Sequence, residues 1–335
     1  MNKIIFLATC FLAACSSKST DTNNRPPNNF AVRVMNVTTD TATIAWTEAT
    51  DPDGDYVTYS ISGDNIDVRN IQATHYTLIN LKSNTTYNIT ITARDGKGGA
   101  TDLKHHFTTE KEPNNNTSFT IPPALKDYYK SVDFTKAGQA LFNELATLTI
   151  EKHSTFLEYS SRHKYLPTAD RSANDANKVV LIYTGEVRNS RNNNVNTEHV
   201  YPQSKIGNTA KGDLHHLRYC DSNVNSRRAN YPFISGSGSA KLVNGNSWYP
   251  GDEWKGDVAR MVLYLNLRYN EDLGEDISRE GINLFLKWNA EDPVSAIEIN
   301  RNEVIQQAQG NRNPFIDNPY LATLIWGKDK AQNRW

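Results

Sequence analysis

From Phe30 to Thr109 the apolar residues come in short alternating runs: AVRVMNV, TATIAW, YVTYSIS, THYTLINL, TYNITITARD and HHFTT. Alternation puts every second side chain on one face of a strand. Turn-forming clusters separate the runs, DPDGD at Asp51 to Asp55 and GKGG at Gly96 to Gly99. Six or seven short strands within about 80 residues predict a β-sandwich. After Ser118 the period changes. Ala137, Leu141, Leu145 and Leu148 recur at helical spacing within Thr135 to Ile150, and so do the apolar residues of KGDVARMVLYLNLRY from Lys255. VVLIYTG, Val179 to Gly185, reads as a buried strand, and the remainder as mainly helical, ending near Trp326. The pattern predicts a multidomain chain, an all-β sandwich followed by a mainly helical α+β domain.

The stretches without apolar periodicity mark the boundaries. The chain opens MNKIIFLATCFLAAC: one lysine, a short apolar run, then Leu12-Ala13-Ala14-Cys15, which resembles a bacterial lipoprotein signal. Residues 1–14 are then a signal peptide too short to span a bilayer, and Cys15 is the lipid attachment point. An ordinary signal peptide is the alternative. Residues 15–29 form a Ser-, Thr-, Asn- and Pro-rich tether, 30–109 the sandwich, 110–118 (EKEPNNNTS) a second linker and 119–335 the C-terminal domain. The expected location is the cell envelope, as an outer-membrane lipoprotein facing the periplasm or the surface, or outside the cell. Of three cysteines Cys10 leaves with the signal, so Cys220 remains as a single thiol that forms no intramolecular disulfide.

Charge narrows the range of partners. Lys+Arg number 36 against 37 Asp+Glu, and the part after Ser118 is itself nearly neutral, which excludes a general polyanion sponge. An anionic substrate must be held in a local groove. Lys205, Lys211, Arg218, Arg227 and Arg228 fall close together in sequence.

They fall in the segment with the most chemistry, NTEHVYPQSKIGNTAKGDLHHLRYCDSNVNSRRANYPF, Asn196 to Phe233. Glu198 and the amide of Asn225 offer hard oxygen ligands, and two protein oxygens plus waters suit Mg²⁺. His199 beside Glu198 offers a base near neutral pH. On a strand, neighbours point to opposite faces, so both serve one site only if the strand bends or ends, as Pro202 suggests. Asp221 or Ser222 can cap a helix beginning near Asn223, which puts Asn225 and Arg228 on one face. A divalent metal with an adjacent base is what phosphodiester hydrolysis requires.

TEHVYP, GDLHHLR, VNSRRANYPF, KGDVAR and QGNRNPFIDNP together resemble the bacterial endonuclease I family, whose core is the ββα-metal (His-Me finger) nuclease motif. The resemblance runs from about Ile121 to Gly327. It implies that His199 activates water, that Glu198 and Asn225 hold Mg²⁺ (Mn²⁺ as a substitute), and that Arg228 binds the scissile phosphate. It also implies that a backbone carbonyl within Lys211 to His215 orients the His199 ring, and that DLHHL builds the second strand. DNA is the expected partner, RNA a further one, and the membrane is reached only through the lipid anchor. Arg227, Arg218 and Arg312 are further candidates for the nucleic-acid backbone, and Asp257 and Arg260 for support of the site. The chain has fewer cysteines than relatives that use disulfides.

Trp46 and Leu81-x-x-x-Thr85-x-Tyr87 resemble a fibronectin type III domain, with the tryptophan in the core and the tyrosine at the corner. Three other readings remain open. Asp51, Asp53 and Asp55 could hold Ca²⁺, although alternating Asp is usually a turn. His215, His216 and Cys220 could hold zinc. The whole could be a surface adhesion or carbohydrate-binding lipoprotein with an inactive nuclease-like domain.

Overall fold

The computed structural model describes residues 24–111 and 118–335. The signal peptide, Cys15, most of the tether and most of the second linker lie outside them. Among the described residues no helix is long and apolar enough to cross a membrane.

The N-terminal part contains seven strands: β1 (Val32–Met35), β2 (Ala42–Trp46), β3 (Thr58–Gly63), β4 (Ile66–Ile71), β5 (His75–Leu78), β6 (Thr86–Arg94) and β7 (Ala100–Thr108). They form two sheets, β1-β2-β5 and β4-β3-β6-β7, the β-sandwich that alternation predicts. Trp46 is buried with its ring 5.2 Å from that of Tyr59. β4 has no counterpart among the six alternating runs. Its signal lies in the turn before it, where Asp64 and Asn65 both have positive φ (32° and 66°), as a two-residue hairpin turn requires. In the acidic turn at Asp51 to Asp55 each carboxylate has an oxygen held by a protein group, while the buried Oδ2 atoms of Asp51 and Asp55 have no hydrogen-bond partner among the described residues. Arg25 pairs with Asp53 at 2.7 Å, Lys97 with Asp55 at 2.8 Å, and Asp51 accepts the backbone N–H of Asp53. These contacts make a capped turn, and among the described residues its carboxylates do not converge as a metal-holding group of three.

The C-terminal part begins with three helices, α1 (Pro123–Tyr129), α2 (Gly138–Lys152) and α3 (Arg162–Ala169). α2 buries Leu141, Leu145 and Leu148 but starts later than its apolar spacing suggests. The Asp133 carboxylate takes the N–H and hydroxyl of Thr135 and holds the chain in a turn there. The run from Val179 gives only a short strand, β8 (Val179–Val180), paired with β9 (Val187–Arg188). The next two strands, β10 (Val195–His199) and β11 (Leu217–Asp221), are antiparallel, with Glu198 opposite Arg218 and His199 opposite Leu217. α4 (Ser222–Arg228) follows β11 directly. The Asp221 side chain caps it by accepting the N–H groups of Asn223 and Val224.

A small hairpin, β12 (Lys241–Val243) with β13 (Ser247–Tyr249), lies after α4. The rest is helical: α5 (Lys255–Tyr269), α6 (Ile282–Glu291), α7 (Ala296–Gln309), α8 (Pro314–Asp317) and α9 (Tyr320–Trp326). α5 coincides with the apolar run read from the sequence, and ends where Asn270 takes a left-handed conformation. Eleven of its residues are buried, so it is the central helix of the domain core. DLHHL does not build a strand. Leu214–His216 is a turn of 3-10 helix capped by Asp213, and β11 begins only at Leu217.

Candidate active site

β10 ends at His199, and this lets two residues of opposite strand faces border one cleft. The cleft, about 660 Å³, is lined by Glu198, His199, Asn225, Thr197, Lys211 and Tyr159 among others. Pro202 follows and opens a 3-10 turn, Gln203–Lys205.

Glu198 is buried. Its Oε1 accepts from the Tyr183 hydroxyl at 2.9 Å and from Arg228 Nε at 3.1 Å, and its Oε2 has no hydrogen bond among the described residues. Burial pushes its carboxyl up to about 7, against the lowering effect of Arg228. Asn225 projects from α4. Its amide nitrogen donates to Asn196 Oδ1 (2.8 Å) and to the Thr197 carbonyl (3.2 Å), so the flip of the amide is fixed and Oδ1 is left without a partner. The site thus presents two oriented hard oxygens, one carboxylate and one amide, which is a donor set suited to Mg²⁺ or Mn²⁺.

His199 is held on three sides. Its Nε2 lies 3.3 Å from the Lys211 carbonyl, within the stretch expected to orient it. A carbonyl only accepts, so Nε2 carries the proton and Nδ1 keeps its lone pair, with no protein partner among the described residues. The rings of Tyr159 and His216 lie 4.8 and 5.3 Å from the imidazole. Desolvation, with His216 adding to it, lowers its pKa to about 3 and keeps it neutral. Tyr159 is itself clamped by Arg162, whose guanidinium sits 3.7 Å from the ring and donates to the Tyr159 carbonyl and Thr197 Oγ1. Gly212 makes this arrangement possible, because a Cβ there would collide with the Leu157 carbonyl.

Tyr159 and Tyr183 are site residues that the sequence reading missed. Tyr183 has φ 72°, an outlier for a bulky residue that persists where its surroundings demand it. Its buried hydroxyl on Glu198 is such a demand. The Thr184-Gly185 pair after VVLIY was the available turn signal.

Several expected substrate contacts are corrected by burial. Arg228 is fully buried, bonded to Glu198, to the Tyr231 carbonyl (2.6 Å) and to the Val200 carbonyl (3.1 Å), with its guanidinium 4.5 Å from the Phe233 ring. It orients the carboxylate and is not free for a phosphate. Arg218, the cross-strand partner of Glu198, is fully buried and paired with Asp170 (3.1 Å) and Asp257 (3.0 Å). Arg312 is buried and paired with Asp317 and Glu303. Arg260 is taken by Glu298, so Asp257 and Arg260 support the domain interior. Lys205 bonds the Asp276 carbonyl. Of the five-residue basic cluster, Arg227 remains exposed and Lys211 borders the cleft.

The zinc grouping does not form. His215 and His216 are buried with Nε2 at the carbonyls of Asn311 (3.4 Å) and Ala210 (2.9 Å), and the Cys220 thiol, pushed up by burial, points to the Ile182 carbonyl. Among the described residues no three His, Cys, Asp or Glu side chains converge on a metal position. Burial lowers both histidines to about 4, below their ordinary 6.5. Unfolding exposes them, and the unfolded chain binds their protons first. Each therefore contributes stability that is complete above pH 6.5 and is lost as pH falls towards 4, at roughly 1.4 kcal/mol per pH unit. The thermal midpoint of the C-terminal domain should fall between pH 7 and pH 5; an unchanged midpoint would show that these rings are already solvated.

Comparison with known proteins identifies both domains. The Endonuclease I family model matches residues 134–320, and the fibronectin type III model matches 25–109. An extracellular ribonuclease of Bacillus amyloliquefaciens is 38% identical over 244 residues, covering 64% of this chain and 83% of that protein. An extracellular ribonuclease of Bacillus subtilis (strain 168) is 38% identical over 227 residues, covering 59% and 78%. An extracellular deoxyribonuclease of Aeromonas hydrophila is 29% identical over 157 residues, covering 38% and 67%. The chain belongs to the endonuclease I family, and carries a fibronectin type III domain ahead of its nuclease domain.

Proposed function

We propose that this chain is a secreted, lipid-anchored, divalent-metal-dependent endonuclease that hydrolyses phosphodiester bonds of DNA and RNA with little sequence preference. One observation carries the reading. His199, Glu198 and Asn225 each have one polar atom tied to the protein and one open, and they border the same cleft. The names of the relatives support both polymers, since two are ribonucleases and one a deoxyribonuclease. Their extracellular location supports secretion. Residues 15–29 then act as tether, 30–109 as spacer and 119–335 as the nuclease.

In this mechanism Glu198 Oε2 and Asn225 Oδ1 would hold the metal ion, Mg²⁺ or Mn²⁺, with water and substrate phosphate completing the set. The bound ion supplies Lewis-acid stabilisation of charge on the phosphate. His199 accepts a proton from the attacking water at Nδ1, while the Lys211 carbonyl keeps Nε2 protonated and the ring in place. Arg228 and Tyr183 hold the Glu198 carboxylate in one rotamer. Asn196 and Thr197 do the same for Asn225. Exposed Arg227, one residue from the buried Arg228, is placed to meet a backbone phosphate.

The test is cleavage of supercoiled plasmid and of total RNA by the full chain, with Mg²⁺ and with EDTA. Cleavage in Mg²⁺ that stops in EDTA and returns with added metal is the expected result. Intact plasmid and RNA across Mg²⁺, Mn²⁺ and Ca²⁺ would leave a binding protein with an inactive nuclease-like domain.

A further inference from the structure

A second, smaller depression of about 350 Å³ is lined from α4 by Ser226 and Arg227. The two hollows meet at Ala229, which borders both. Ala229 has φ 49° and ψ −129°, a conformation an L-residue adopts only at a cost. The turn it makes brings Tyr231 back beside the helix, where its carbonyl accepts from Arg228. Tyr231, Leu242 and Trp248 supply apolar walls, and Leu242 and Trp248 are cross-strand partners in the β12–β13 hairpin. Leu242 is 42% exposed despite its size, and Trp248 is buried with an indole N–H that has no acceptor among the described residues. Exposed Arg227 and Lys241 stand at the rim. Arg227 makes no ion pair among the described residues, and the Lys241 amine donates to the Ser237 carbonyl and lies 6.0 Å from the Tyr249 ring.

We propose that this hollow is a nucleobase subsite that takes the base of the nucleotide flanking the scissile phosphate. The inference rests on the nuclease reading and adds a specificity element to it. An aromatic and an aliphatic wall with two cations at the rim match a base and its phosphate. The volume lies at the small end of ligand pockets, enough for one heterocycle rather than a stacked pair. A base enters only when it leaves the helical stack, so the subsite favours single-stranded or loosely paired substrate. The Ser226 hydroxyl is turned to the Ser222 carbonyl, so the walls hold the base mainly by stacking and apolar contact, which agrees with little sequence preference. The flanking nucleotide is the one in reach, because Ala229 borders both hollows.

The experiment is a scan of one abasic residue through a short oligothymidylate, with KM and kcat measured in Mg²⁺ for the full chain. One position next to the cleaved bond should raise KM about tenfold, the lower part of what base stacking on an aromatic contributes. In Leu242→Ser and Tyr231→Ala that penalty should vanish, because the base has already lost its wall, while kcat stays near wild type. Tyr231→Phe should retain it. Equal KM at every abasic position overturns the subsite, and so does a penalty that persists undiminished in both wall variants. An oligothymidylate and plasmid both left whole by the wild-type chain would instead remove the nuclease reading itself.

Discussion

His199→Ala should lower plasmid cleavage by about 10²–10⁴-fold, the range a positioned general base contributes. Affinity for uncleaved DNA should change by no more than roughly twofold, since the loss is confined to the chemical step. Only 8% of His199 is exposed, and Tyr159, His216 and the Lys211 carbonyl leave the imidazole one orientation. Desolvation keeps it unprotonated through the neutral range, so the lone pair on Nδ1 is always available. An imidazole so depressed is a weak base in the free protein. A bound phosphate's negative charge opposes that depression and strengthens the base where it is needed. Deleting the ring also leaves a gap between two aromatic neighbours, so free imidazole should restore part of the rate. Cleavage within tenfold of wild type in His199→Ala would place the proton acceptor elsewhere.

What the sequence disclosed follows from how local each signal is. α5 was legible to its ends because a run of helical period meets a left-handed asparagine at Asn270. Asp221 as cap and Asn225 on the first turns of α4 were legible because capping is decided within three residues. The Glu198-His199 pair was legible as chemistry, and the end of β10 reconciles their opposite faces. The role of Arg228 was not. An arginine three residues from a metal-ligating asparagine looks the same in sequence whether it faces solvent or the interior, and here Glu198 draws it inward. The same ambiguity governs Arg218 and Arg312, both charged, both buried. Tyr183 left only the turn signal of Thr184-Gly185, since it reaches Glu198 through an unusual backbone conformation, and the meeting of Asp170 with Arg301 across 131 residues left no trace. Burial of a charge is a property of the assembled fold, and hydrophobic patterning is blind to it.

That blindness is most costly behind the active-site hairpin, and the second large effect is expected there. Asp170→Ala should destabilise the C-terminal domain by about 3–5 kcal/mol, the cost of breaking a buried pair from one side. Asp170 is wholly buried. It pairs with Arg218 and Arg301 and accepts the backbone N–H of Tyr219 at 2.7 Å. Arg301 in turn donates to the carbonyls of Leu214 and Leu217 (2.8 and 2.9 Å), which fixes the 3-10 turn and the first residue of β11. Arg218 goes on to Asp257, so the same carboxylate ties α7, β11 and α5 together. Removing it leaves buried Arg301 with backbone carbonyls but no carboxylate and Arg218 with Asp257 alone, and the thermal midpoint should fall by about 10 °C in a domain of this size. Asp170→Asn keeps the acceptor for Tyr219 but not the charge, and should fall between the two. Because β11 presents Arg218 directly opposite Glu198, the defect is next to the site without touching it. Well below its midpoint, Asp170→Ala should therefore cleave with a kcat and KM close to those of the parent. A midpoint unchanged by the substitution would mean that desolvation cancels the whole network. A kcat lost at low temperature with the fold intact would instead make Asp170 a positioning residue for Glu198, acting through the strand pair that carries both.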